Sequence, residues 1–74
     1  MPFPKKNPAL FDGRLVDLTK LAKDADIDLS HVSRIMRGKK DPSIRVLLRL
    51  ADALAMAPDY FLEQLLTVRQ TSQE

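Results

Sequence analysis

The stretch from Leu21 to Pro42, LAKDADIDLSHVSRIMRGKKDP, constrains this chain more than any other part of it. It reads as two short helices joined by a tight turn. Ala22 is small where one helix has to lie close against another, and Ile27 follows the turn. Val32 and Ile35 share one face of the second helix, at the spacing that buries an apolar stripe. Gly38 then supplies the residue type at which helices stop, and Lys39 and Lys40 follow at once.

The rest of the chain is read around this unit. Pro2, Pro4 and Pro8 keep residues 1–8 from forming a helix, which leaves an extended arm carrying Lys5 and Lys6. Ala9 to Leu15 is expected as a short first helix, weakened by Gly13. Asp17 is placed to cap a second helix from Leu18 to about Ala25, with Leu18, Leu21, Ala22 and Ala25 inward. Asp28 caps a third, Leu29 to Arg37. Pro42-Ser43 opens a fourth, Ile44 to about Ala55, in which Ile44, Leu47, Leu48, Ala51, Leu54 and Ala55 form the apolar stripe. Pro58 fits the first position of a fifth, with Phe61, Leu62, Leu65 and Val68 inward. Residues 70–74 read as a flexible polar tail. The expected class is all-α: a compact five-helix bundle over residues 9–69, its first helix short.

Seventy-four residues make one small domain, and 45% hydrophobic content suits a packed core. The chain has no cysteine, so disulfides and thiolate metal sites are excluded and a reducing cytoplasm is the expected setting. The apolar runs are too short to span a membrane, and no apolar segment follows the lysines of MPFPKKNP as a secretory signal requires. The net charge of +2 conceals a strong asymmetry. Arg34, Arg37, Lys39, Lys40, Arg45 and Arg49 face Asp41 alone between residues 34 and 49, a local charge of +5 that leaves −3 on the other fifty-eight residues. Such a block suits phosphate binding, although a solvated basic surface is common enough in small proteins.

A helical wheel sorts the third helix. Asp28, Leu29, Ile35 and Met36 fall within about 60° of Val32, whereas Ser30, Ser33, Arg34 and Arg37 lie on the outer face and His31 on the flank. Serines let a helix approach base edges closely, and arginine can bond two acceptors of guanine. A Ser/Arg face alone is ordinary; joined to the Gly38 stop, the two lysines and the tight turn, it is the layout of a helix-turn-helix whose second helix enters the major groove of DNA.

From about Val16 to Leu66 the chain resembles the Cro-repressor (XRE-like) helix-turn-helix family, most specifically over VSRIMRGKKDPSIRVLLRLADAL. The resemblance implies a five-helix domain that binds double-stranded DNA in a sequence-specific way, usually as a dimer, to control transcription. It implies base-reading roles for Leu29, Ser30 and Arg34 with Ser33 close by, and backbone contacts from Leu18 and Thr19 and from Arg37, Lys39 and Lys40. Three departures stand out. Asp26 occupies the turn where the family has glycine, and aspartate tolerates the left-handed conformation. Leu18 replaces a phosphate-holding glutamine, so Thr19, Lys20 or backbone N–H groups have to serve. Met36 replaces a glutamate paired with an arginine of a longer first helix; Met36 is expected to pack on Leu10 or Phe11 instead, and Met36→Glu to lower the melting temperature markedly.

His31 without any cysteine does not suggest zinc and reads as a flanking polar residue or a phosphate contact. Arg45 joins the phosphate candidates. Asp24, Asp26 and Asp28 alternate like a calcium loop but lack its glycine and final glutamate. No serine has a base and oxyanion partner, so neither an enzyme nor a cofactor is expected. Lys5 and Lys6 admit a solubilising arm or one that follows the DNA backbone. Tyr60, Leu62, Leu66 and Val68 cannot all join one core with their neighbours, and are candidate homodimer contacts. The expected function is a cytoplasmic, repressor-like transcription regulator acting as a homodimer on a palindromic operator. The alternative is an antitoxin or anti-activator that keeps the fold to bind a protein partner.

Overall fold

The computed structural model describes residues 7–72. Two strands, β1 (Pro8–Phe11) and β2 (Arg14–Asp17), precede four helices, α1 (Leu18–Ala25), α2 (Leu29–Met36), α3 (Ile44–Ala53) and α4 (Pro58–Ser72). The expected arm lies outside the described residues except for Asn7 and Pro8, and Pro8 already belongs to β1. α4 continues through Ser72, past the start of the expected tail.

The expected helix from Ala9 to Leu15 does not exist, and with it go the all-α class and the five-helix count. That segment is an antiparallel hairpin with Phe11 opposite Arg14, Leu10 opposite Leu15 and Ala9 opposite Val16. Its two-residue loop is Asp12-Gly13, at φ 54° and 71°. A type I′ turn needs two successive residues at positive φ, and Asp-Gly flanked by alternating apolar residues is its strongest signal. Period-two burial follows: Ala9 and Phe11 enter the core, whereas Leu10 and Leu15 are 68% and 58% exposed.

The helices begin where the sequence placed their caps. The Asp17 carboxylate accepts from the N–H groups of Thr19 and Lys20 at 3.0 and 3.2 Å, and the Ser43 hydroxyl accepts from the Val46 N–H at 3.3 Å. Three helices end alike, on a left-handed residue: Asp26 at φ 57° after α1, Gly38 at 77° after α2 and Ala55 at 57° after α3. In each case that residue's N–H returns to a carbonyl three positions back and the next N–H to one five back, the Schellman arrangement that satisfies the last carbonyls. Asp26 therefore carries the turn, as its tolerance of this region allows.

Every helix contributes to one core. Leu18, Leu21, Ala22 and Ala25 of α1, Val32, Ile35 and Met36 of α2, Leu50 and Ala51 of α3, and Phe61 and Leu65 of α4 are buried with Ala9 and Phe11. The Phe11 and Phe61 rings meet at a 5.4 Å centroid separation and a 50° tilt, a geometry that aromatic pairs favour. Met36 sits in the same cluster as Phe11, while Leu10 points away from it. The stripe expected on α3 is rotated. Leu50 is its buried centre, Val46, Leu47, Ala53 and Leu54 pack beside it, and Ile44 and Leu48 face outward. On a wheel those partners lie within about 60° of Leu50, and Ile44 and Leu48 about 120° and 160° away. The sequence carries two overlapping stripes, and the one chosen meets α1 on one side and α4 on the other.

Candidate nucleic-acid interface

α2 is held from its inner side by Val32, Ile35 and Met36, so its outer side is fixed as a rigid face. Ser30, Arg34 and Arg37 are exposed there and Ser33 is half-buried. Leu29 is half-buried against the core, and His31 is half-buried on the flank. The Arg37 Nε donates to the Ser33 hydroxyl at 3.2 Å, one turn back.

The start of α2 is built by Asp28. Its carboxylate accepts from the Ser30 N–H at 3.2 Å and also from the Ser30 hydroxyl. Those bonds hold the Asp28 carboxyl below its ordinary value, the Ser30 side chain first among the causes, against a smaller opposing effect of burial. The carboxylate is thus charged at any near-neutral pH. At the other end the Gly38 turn directs the Lys39 N–H back to the Arg34 carbonyl at 2.8 Å, which leaves Lys39 and Lys40 exposed just beyond the helix.

The basic block is modified by contacts distant in sequence. Asp41, its one acidic member, pairs with Arg69 of α4, so the negative charge in its midst is met from outside. Arg49 donates to the Asp26 carbonyl at 3.4 Å and so helps close the turn after α1, while Arg45 is exposed in the first turn of α3. Neither the Asp41–Arg69 pair nor the Arg49 contact has a local signal in the sequence, since the partners stand 28 and 23 positions apart.

The two residues expected to replace the phosphate-holding side chain lie in the first turn of α1. Leu18 itself is fully buried and presents nothing outward. Thr19 is half-buried, and its hydroxyl accepts from the Asn7 side-chain amide at 3.2 Å. The Asn7 carbonyl accepts from the Leu18 N–H at 3.2 Å, so the chain entering the hairpin is fastened to the start of α1. Sequence reasoning missed Asn7, whose partner is twelve residues away. Lys20 pairs with Asp24 at 3.6 Å on the surface, a contact of small energetic weight.

On α4 the four candidates for a second interface separate. Val68 is half-buried against the chain's own core, and the Tyr60 hydroxyl donates to Asp12 at 2.7 Å, tying α4 to the hairpin turn. Leu62 and Leu66, one turn apart, are 44% and 50% exposed. Beside them Pro42, Leu65 and Arg69 line a small open groove.

A family model described as helix-turn-helix matches residues 14–61. The match takes in β2, α1, the turn, α2 and α3, and ends in the first turn of α4. No curated protein and no solved structure matches the chain significantly.

Proposed function

Since this chain belongs to the XRE-type helix-turn-helix family of DNA-binding regulator domains, we propose that it is a sequence-specific transcription regulator, repressor-like, acting in the cytoplasm as a homodimer on a palindromic operator. One observation carries the reading. The outer face of α2, with Ser30, Ser33, Arg34 and Arg37, is free of large apolar residues and runs into Lys39 and Lys40, while the inner face is locked in the core. In this arrangement Ser30, Ser33 and Arg34, with Leu29 at their edge, meet base edges. Thr19, Lys20, His31, Arg37, Lys39, Lys40 and Arg45 meet phosphates. Leu62 and Leu66 are the dimer contacts, with Tyr60 and Val68 beside them, and they set half-sites about 34 Å apart.

A fluorescence-anisotropy titration with DNA from upstream of the chain's own gene, at several salt concentrations, tests this for wild type and Arg34→Ala. Tight binding with a steep salt slope, and lost discrimination at one base position in the variant, is the expected result. Weak binding indifferent to sequence and to Arg34 refutes it. A second reading, an antitoxin or anti-activator bound to a protein partner, draws on the exposed Leu62 and Leu66 pair. A stable complex with a neighbouring gene's product, formed through that pair, distinguishes it.

A further inference from the structure

The two serines of the α2 outer face are the same residue type, yet their charged neighbours polarise them in opposite directions. A carboxylate only accepts hydrogen bonds, so in the Ser30–Asp28 pair the hydroxyl proton points to Asp28. What Ser30 offers outward is a lone pair, and the Asp28 carboxylate beside it offers more of them. At Ser33 the hydroxyl accepts from Arg37 at 3.2 Å, which leaves its own proton unspent on that contact. Arg34 and Arg37 only donate. The exposed face therefore has an acceptor end, Asp28 with Ser30, and a donor end, Ser33 with Arg34 and Arg37.

Resting on the groove-reading role proposed above, we infer that Asp28 is a specificity-determining residue: through Ser30 it makes the start of α2 select a base that carries an amino group in the major groove. Only adenine N6 and cytosine N4 donate there; guanine and thymine present acceptors. Arg34 requires the opposite, the paired acceptors of guanine. Four residues of helix separate Ser30 from Arg34, about 6 Å, or roughly two base-pair steps at 3.4 Å each. The half-site thus carries adenine or cytosine facing Asp28 and Ser30, and guanine about two steps away facing Arg34. Asp28 also sets a negative charge before a polyanion. It weakens non-cognate binding at the same time as it sharpens the choice of base.

The test is selection from a randomised duplex pool by the full chain, read by sequencing, for wild type, Asp28→Asn, Ser30→Ala and Arg34→Ala, with melting curves for each. Asparagine caps helices as well as aspartate does, but its amide both donates and accepts, so the Ser30 hydroxyl is released to turn. Wild type is expected to enrich adenine or cytosine at one position and guanine about two steps on. Asp28→Asn is expected to move the first preference about tenfold away from cytosine and toward adenine, since an amide meets adenine N6 and N7 together whereas a carboxylate only accepts. It should leave the second preference intact and bind non-cognate duplex more tightly than wild type. Arg34→Ala should relax only the second. Enrichment of guanine or thymine at the first position overturns the inference, as does a preference there that Asp28→Asn leaves unchanged while the Arg34 position still responds. Sequence-indifferent binding by wild type overturns the groove-reading role itself.

Discussion

The hairpin turn and the turn between α1 and α2 use the same device to opposite effect. Each puts an aspartate at positive φ, Asp12 at 54° and Asp26 at 57°. At Asp26 the left-handed residue stands alone, after a helical segment whose carbonyls collect the next two N–H groups, and the chain resumes as a helix. At Asp12 it is followed by Gly13, also at positive φ, and the chain folds back on itself as a strand. The number of consecutive left-handed residues, and the period of the apolar residues around them, decides between helix-turn-helix and hairpin.

The first way to break that comparison is to ask whether the hairpin is as much a part of the core as the helices. Phe11→Ala should lower the unfolding free energy by about 3–5 kcal/mol in urea denaturation, as for a core aromatic. A loss below about 1 kcal/mol would reduce the hairpin to an appendage. Met36→Glu tests the same cluster from the helical side, since Met36 is fully buried with no polar side chain among the buried described residues. Its cost should fall in a similar range of about 3–5 kcal/mol, and an unchanged melting curve contradicts the packing. Next come the turns themselves. Gly13→Ala has open space for its methyl group, so its cost of about 1–2 kcal/mol is purely conformational. Asp26→Gly should change stability by less, since the strain relieved and the flexibility added to the unfolded chain oppose each other. A reversed order of these two melting temperatures would sink the account of the turns.

The acid limb of the stability curve sharpens the contrast between caps. The Asp28 carboxyl is depressed in the folded chain, so its contribution is fully present above the unfolded value of about 3.9 and is lost as pH falls through the lower folded value. Asp28→Asn should flatten thermal stability over that acid window, because asparagine caps the helix without titrating. Equal pH dependence in both proteins would contradict the cap. The smallest effect is expected at Ala55, a left-handed alanine where most helix ends use glycine. Ala55→Gly should stabilise by about 0.5 kcal/mol, seen as a raised denaturation midpoint at constant slope.

What was legible in the sequence was local. Asp17, Asp28, Ser43 and Pro58 announce the four helix starts because a cap acts within three residues, and Gly38 announces a stop for the same reason. The Asp12-Gly13 signal was equally local, but a short apolar segment beside a proline-rich arm also fits a weak helix, and that reading obscured it. The rotation of α3 was not legible, because its apolar residues support two stripes and only the neighbouring helices choose Leu50 over Ile44 and Leu48. The outer residues of α2 could be found by a wheel. Their hydrogen-bond polarity could not, since it depends on which way each serine hydroxyl turns.

The Phe11–Phe61 contact joins residues fifty positions apart. On its own a hairpin forms in about 1–10 μs, yet a two-stranded one is only marginally stable in water. During synthesis at about 5–20 residues per second, α2 leaves the ribosome seconds before the ring that packs on Phe11. A nascent chain ending after α3 has Phe11 but no Phe61 to cover it. The contact that ties the hairpin to α4 can therefore form only once α4 has been made. In pulse-labelled hydrogen exchange, protection in β1 and in α4 should appear in a single phase.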